Sequence, residues 1–164
     1  MKTQSDSSGH KQGKEASKNK TRLEITTFGG LSIRCDGQPV KGLHSRKAEA
    51  LLVYLAVTAH PQPREVLAAL FWGEFSQQRA MNNLRVVLSN LRKHLGDHLS
   101  ITRDKAAMNP EVDYDLDVAV LDTNLGYAGE FIRKTGALNR DTITRIEQAV
   151  DLYKGEFLEG FYVE

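Results

Sequence analysis

The chain has 164 residues, 40% of them hydrophobic and 26% charged, a composition typical of a soluble globular protein with room for one domain and an appendage or for two very small domains. No apolar run approaches the 18 residues of a membrane-spanning helix, and the first twenty residues lack the apolar core of a secretory signal. The single Cys35 excludes an internal disulfide and supplies no zinc cluster. We therefore expect a cytoplasmic protein.

The net charge of +1 hides an uneven distribution along the chain. Residues 1–22 carry six Lys/Arg against two acidic residues, and residues 44–105 carry nine against five. Residues 106–164 carry five against twelve. A basic segment beside an acidic one indicates a polyanion-binding unit joined to a unit that does not bind polyanions. Chance scatter of surface charge is the alternative, and charge alone does not decide between the two.

The chain begins with a segment that cannot form a core. Residues 1–21 contain almost no apolar side chains, which predicts a disordered basic tail that acts as a solvating leader rather than a phosphate-binding arm. From Leu23 onward, apolar and polar residues alternate, and Asp36-Gly37 is a tight-turn signal. Residues 23–43 are therefore predicted to form two or three short antiparallel strands.

Three helices and a hairpin are predicted next. Ser45 is a predicted N-cap of the first helix, whose apolar residues recur at helical spacing until the prolines of residues 60–63. The second helix spans residues 64–72, and the third spans residues 76–95. Residues 99–109 read as a hairpin with a basic turn at 103–105. The inward side chains predicted for the second helix are Val66, Leu67, Leu70 and Phe71.

The third helix has an unusual outer face. Its apolar residues lie on one side, while the other side carries Arg, Asn, Ser and Lys, and no acidic residue occurs between positions 76 and 95. Arginine can donate two hydrogen bonds to guanine, and asparagine can pair bidentately with adenine. The residues predicted to read bases are Arg79, Asn82, Asn83, Val86, Ser89 and Asn90. Those predicted to contact phosphates are Arg46, Lys47, Arg64, Arg85, Arg92, Lys93, Arg103 and Lys105. The alternative is a small three-helix core whose basic face is merely solvated.

No pattern in the sequence indicates catalysis. Glu111, Asp113, Asp115 and Asp117 could suggest a hard-metal site, but they are better interpreted as a linker in which Asp117 caps the next helix. The five histidines lack the spacing of known metal motifs, and there is no glycine-rich phosphate loop or nucleophile–base arrangement. We expect no enzymatic activity, no metal and no cofactor.

The chain resembles the OmpR/PhoB-type winged helix of the SARP-like bacterial transcriptional activators over residues 23–121. The matching segments are FGGLSIRCDGQPV, SRKAEALLVYLAV, REVLAALFWGEFSQQRAMNNLRVVLSNLRKHLG and ITRDKAAMNPEVDYDLDVAVL. The later segment EQAVDLYKGEFLEGFYVE resembles the early part of the bacterial transcriptional activator domain (BTAD), in which a Tyr-x-Gly-[Asp/Glu]-Phe-Leu motif closes a helix.

The resemblance implies an α+β fold with a winged helix-turn-helix domain over residues 22–112. In it, helix 76–95 is the recognition helix in the major groove, and hairpin 99–109 is the wing on the backbone or in the minor groove. Residues 113–164 are expected to begin an all-α, TPR-like activator domain that is incomplete, because such repeats bury their faces on neighbours.

The function that this resemblance implies is sequence-specific binding of double-stranded DNA in a bacterial transcriptional regulator. The implied partners are RNA polymerase or other transcription machinery and further copies of the protein on repeated DNA sites, with no membrane, and the implied location is the nucleoid. Two alternatives stay open. One is a protein-interaction module built on a winged helix that no longer binds DNA, and the other is an adaptor that uses the wing surface for RNA.

Overall fold

The computed structural model describes residues 21–43 and 45–163, which form five α-helices and two β-sheets. The predicted basic tail lies outside the described residues except for Thr21. No helix in the described part of the chain is long and apolar enough to cross a membrane. The strands are β1 (Leu23–Thr26), β2 (Ser32–Cys35), β3 (Gln38–Pro39), β4 (Gln62–Pro63), β5 (Leu99–Ile101), β6 (Lys105–Met108) and β7 (Tyr114–Leu116). The helices are α1 (Arg46–Thr58), α2 (Arg64–Trp72), α3 (Gln77–Leu95), α4 (Asp117–Thr135) and α5 (Arg140–Leu152).

The first sheet has the strand order β3-β2-β1-β7. The predicted antiparallel strands are confirmed, with Ile25 of β1 paired to Ile33 of β2 and both side chains buried. Strand β7 was not predicted, because alternating acids are also typical of a linker. It pairs in parallel with β1 and buries Leu116, while Asp115 between Tyr114 and Leu116 stays exposed. The acids therefore alternate with less exposed residues, as expected of a strand with one buried face.

The main core lies between the first sheet and helices α1 to α3. The stripe of α1 that the sequence predicted is buried, and the Ser45 hydroxyl accepts a hydrogen bond from the Ala48 amide, which confirms the predicted N-cap. Helix α3 contributes Leu84, Leu88 and Leu91 to the same core. The hairpin of β5 and β6 forms the second sheet with the short strand β4, which joins it to the start of α2.

The predicted inward face of α2 is wrong at two positions. Val66 is 49% exposed and Leu70 is 56% exposed, whereas Leu67, Ala68 and Trp72 are buried. At 100° per residue, Val66 and Leu70 form one stripe on the opposite side of Leu67 from Ala68 and Trp72. The helix packs against the core through Ala68 and Trp72, so Val66 and Leu70 face outward.

Helices α4 and α5 pack on each other through small and polar side chains. Ala128, Thr142 and Ala149 are buried there, and the Asn139 side chain caps α5 by accepting from the Thr142 amide at 2.7 Å. These two helices lie within residues 113–164, which were predicted to be all-α, but that range also contains strand β7. The predicted domain boundary after residue 112 stays a prediction. Strand β7 lies just beyond that boundary and pairs with β1, which lies before it.

Asp117 does not cap the next helix as predicted; it is the first residue of α4, and its side chain ties that helix to the end of β1. The buried carboxylate accepts hydrogen bonds from the amide of Thr27 at 2.6 Å, the hydroxyl of Thr27 at 2.7 Å and the amide of Phe28 at 2.9 Å. It also accepts from the amide of Val118 at 2.8 Å. Charge-assisted bonds of this kind are stronger than neutral ones.

We expect Asp117→Asn to lower the free energy of unfolding by roughly 1–3 kcal/mol, because the amide nitrogen of asparagine cannot accept the hydrogen bonds that the carboxylate oxygen in its place accepts. The measurement is urea denaturation followed by circular dichroism. The matched control is Asp115→Asn on the preceding strand β7, where the exposed ion pair of Asp115 with Arg22 at 2.6 Å should contribute less than about 1 kcal/mol. Equal effects of the two variants would contradict a special role for Asp117.

Candidate nucleic-acid interface

Helix α3 has one buried side and one exposed side, as its sequence pattern predicted. Ala80, Leu84, Leu88, Leu91 and Leu95 are buried in the core, so the backbone is held firmly along the whole helix. The 19-residue helix ends at Gly96, whose φ of +52° suits the residue that follows a helix. A rigid helix packed on one side presents its other side at fixed positions, which is what a binding surface requires.

The outer side of α3 carries cations and polar groups but no carboxylate. The exposed side chains are Arg79, Asn82, Arg85, Val86, Ser89, Arg92 and Lys93. Asn83 is half-buried at the edge of this face. Among the residues that the structure describes, no ion pair involves a cation of α3. The positive charges of this face are therefore not neutralised by neighbouring acids.

Two side chains at the start of α3 are arranged for specific contacts. The guanidinium of Arg79 lies over the Phe75 ring, 4.5 Å from its centroid, which limits the conformations of the arginine while leaving its donors available. Asn82 is exposed one turn later. Val86 is 66% exposed, an apolar side chain in the middle of a polar face. An apolar group in that position could contact a thymine methyl group.

Asn90 is a correction to the predicted base-reading set. Its side chain is only 7% exposed, and its amide nitrogen donates to the carbonyl of Gly42 at 3.1 Å. Asn90 therefore holds the loop before α1 against α3. It cannot reach a base edge without breaking this contact, because it turns away from the face that carries Ser89.

The hairpin turn is tied to the start of α2. Arg103 and Lys105 are exposed at the turn, where the Thr102 amide donates to the Lys105 carbonyl at 2.9 Å. Arg64 is half-buried, and its guanidinium donates weakly to the carbonyls of Thr102 at 3.4 Å and Arg103 at 3.5 Å. Arg64 thus links α2 to the hairpin in addition to its predicted contact with phosphate.

The first residues of α1 lie beside α3. The Lys47 ammonium pairs with Glu74 at 3.1 Å and lies 6.0 Å from the centre of the Trp72 ring. The pKa of Glu74 lies below its usual value. The larger cause is a hydrogen bond from the backbone of Glu74 itself, and the next is the hydrogen bond from Lys47. The guanidinium of Arg46 lies over the Phe161 ring, 5.2 Å from its centroid. Of the two predicted phosphate contacts on α1, Lys47 is therefore paired with an acid, whereas Arg46 is exposed and lies against an aromatic ring.

A cavity of about 910 Å³ opens between the start of α1, the turn before α3 and the outer side of α3. Its walls include Arg46, Phe75, Asn83 and Val86, and Tyr162 closes one side. Two predicted base contacts, Asn83 and Val86, and two predicted phosphate contacts, Arg46 and Lys47, therefore border the same space. Arg92 and Lys93, further along α3, are not among the residues that line it.

The histidines do not form a metal site in the described part of the chain, where no group of three or more His, Cys, Asp or Glu could hold an ion. His98 has a structural role. Its side chain is 1% exposed and its Nδ1 bonds to the Leu95 carbonyl at 3.0 Å, just after α3 ends.

Two aromatic residues of this surface, Phe75 and Phe161, were not predicted from the sequence. Phe75 precedes Arg79 by four residues, a spacing that could have suggested their contact. Phe161 lies 115 positions after Arg46 in the chain, and no local signal relates the two.

Comparison with known proteins finds a similarity to a solved structure. No protein-family model matches the chain, and no curated protein matches it. A structure of Mycobacterium tuberculosis EmbR in complex with a low affinity phosphopeptide is similar, with a TM-score of 0.62 and 21% sequence identity. The match covers 86% of this chain and 38% of the EmbR chain. The mixed arrangement of five helices and two sheets is therefore a fold that EmbR shares, and this chain spans less than half of EmbR's length.

We expect Asn90→Ala to lower the free energy of unfolding by about 1–2 kcal/mol, because the Gly42 carbonyl loses its partner. Ser89→Ala, one position away on the exposed face, should change it by less than about 0.5 kcal/mol. Urea denaturation of both variants measures the difference. If Asn90→Ala were as stable as the wild-type chain, the assignment of Asn90 to a structural role would be wrong.

Proposed function

We propose that this chain is the sequence-specific, double-stranded DNA-binding module of a bacterial transcriptional regulator. In this proposal residues 22–112 form a winged helix-turn-helix, with α2 and α3 as its two helices and α3 as the recognition helix in the major groove. The hairpin of β5 and β6 is the wing, placed on the DNA backbone or in the minor groove. Residues 113–164 begin a helical activator domain of the SARP type.

The observation that carries the proposal is the outer side of α3, which is exposed, cationic and free of carboxylates over its whole length. Phosphate contacts contribute most of the affinity for DNA, and contacts to base edges give specificity. Arg79, Asn82 and Asn83 lie at the N-terminal end of α3, the end that a helix-turn-helix brings closest to the bases. Arg85, Arg92 and Lys93 flank this face and are placed to contact phosphates.

The proposal extends to location and partners. A DNA-binding regulator works in the cytoplasm on the nucleoid, and an activator contacts RNA polymerase or other transcription machinery. Self-association on repeated DNA sites is the further partnership that we propose. We assign this chain a binding function rather than a catalytic one. The phosphopeptide in the EmbR structure is a ligand of that protein.

A second candidate function is supported by the exposed apolar side chains of the helices. Val66 and Leu70 form a stripe on α2, and Val120, Ile143 and Val150 are exposed on α4 and α5. Exposed apolar residues that lie together mark protein contacts. A winged helix that binds only protein would use these surfaces and leave the cationic side of α3 unused.

A salt titration distinguishes the two candidates. We expect random duplex DNA to bind with an affinity that falls with salt, with a slope of about −0.9 in log K against log salt for each neutralised phosphate. Fluorescence anisotropy with labelled duplex measures it, and labelled RNA of the same length tests for an RNA adaptor. No salt-dependent binding to duplex would favour the protein-interaction module.

Substitutions on α3 test which residues read bases. We expect Arg79→Ala and Asn82→Ala each to relax base preference at one position by about 1–3 kcal/mol, measured on duplexes selected from a random pool. Lys93→Ala should weaken binding to all sequences and reduce the salt slope by about 1. The control is Lys134→Ala, which removes an equally charged side chain paired with Glu130 on α4. If Lys134→Ala weakened binding as much as Lys93→Ala, the assignment of the interface to α3 and the wing would be wrong.

A further inference from the structure

The last part of the described chain returns to the first sheet. We call residues 153–163 the C-terminal strap. The Gly29 amide donates to the Glu156 carbonyl at 3.1 Å, and the Leu158 amide donates to the Thr27 carbonyl at 2.7 Å. Phe28 and Phe157 form an antiparallel bridge. The strap is thus held by backbone pairing to the turn that follows β1.

Close packing fixes this anchor. The Phe28 ring contacts the rings of Tyr153 and Phe157, with centroids 5.4 Å and 6.4 Å away. A Cβ atom on Gly155 would lie 2.8 Å from the Cα atom of Gly29, too close for any side chain. Glycine at position 155 is therefore required for the strap to approach the sheet.

Beyond its anchor, the strap covers the start of α1 and one side of the candidate interface. Phe161 lies under the Arg46 guanidinium, and Tyr162 borders the cavity that contains Asn83 and Val86. Glu159 lines a neighbouring pocket together with Arg46. The strap therefore places an aromatic ring where a DNA phosphate would approach Arg46.

We propose that the C-terminal strap is an autoinhibitory cover of the DNA-binding surface. While it is seated, the Phe161 ring lies against the Arg46 guanidinium, and Tyr162 stands at the edge of the cavity beside Asn83 and Val86. The strap begins directly after α5, so a partner or effector that moves α5 also moves the strap. This inference rests on the proposed function and adds regulation to the same surface.

The direct test is the double substitution Phe161→Ala/Tyr162→Ala in the full chain, which removes the cover and leaves the anchor in place. We expect the double variant to free Arg46 to neutralise one phosphate. The affinity for random duplex should then rise about eightfold at 0.1 M monovalent salt, and the slope of log K against log salt should become steeper by about 0.9. Adding Arg46→Ala to the double variant should abolish this gain. The matched control is Tyr127→Ala, which removes another ring under an arginine, Arg145 at 4.2 Å.

A second variant acts at the anchor. Gly155→Ala should detach the strap, so the Gly29 and Leu158 amides exchange hydrogen faster while duplex affinity rises as in the double variant. Thermal unfolding of both variants confirms that they remain folded.

The outcomes separate this inference from the proposed function. If the wild-type chain binds duplex and the strap variants bind it equally well or more weakly, the autoinhibitory role is overturned. The proposal of DNA binding is then unaffected. If neither the wild-type chain nor the variants bind duplex in a salt-dependent manner, both proposals are overturned. A gain that survives Arg46→Ala or is matched by Tyr127→Ala also overturns the mechanism described here.

Discussion

The carboxylate of Asp117 lies buried between the end of β1 and the start of α4, where it accepts hydrogen bonds from the Thr27 amide and hydroxyl and from the Phe28 amide. A buried charge is tolerated only when it is fully hydrogen-bonded, so these contacts constrain the position of α4 strongly. The same short stretch, Thr27 to Gly29, also pairs with the strap that follows α5. Both ends of the helical pair are therefore held at one turn of the first sheet.

The strap also connects the helical pair to the candidate interface. The strap leaves the turn after β1 and continues to the start of α1, where Phe161 meets Arg46. Helix α1 packs on α3 through the common core, so the second helical unit and the cationic face of α3 are connected by a short path of contacts. A change in the helical pair can reach the DNA-binding surface along this path, without any change in α3 itself.

Much of the fold follows from local patterns in the sequence. The stripe of Leu51, Leu52 and Leu55, the Ser45 cap and the turn at Asp36-Gly37 each act within a few residues, so β1, β2, α1 and α3 could be predicted with nearly correct bounds. The exposed face of α3 could be predicted for the same reason, since helical spacing fixes which residues share a side.

The features that escaped prediction depend on contacts between distant parts of the chain. Asn90 has the spacing of a surface residue, but it is buried because the Gly42 carbonyl needs a donor. The Val66–Leu70 stripe is as apolar as the buried stripe of α2, and only the packing of α2 decides which faces inward. Strand β7 forms because β1 offers a free edge to an alternating segment that looks like a linker. The strap depends on pairing across more than a hundred residues.

The central claim is that the outer side of α3 contacts DNA. The most direct measurement is a titration of the ¹⁵N-labelled chain with a duplex recovered by selection, followed through backbone amide chemical shifts. We expect the largest changes at residues 79–93 and 102–105, with smaller changes in the strap as it is displaced and almost none within α4. Changes confined to α2, α4 and α5, with α3 unaffected, would contradict this assignment.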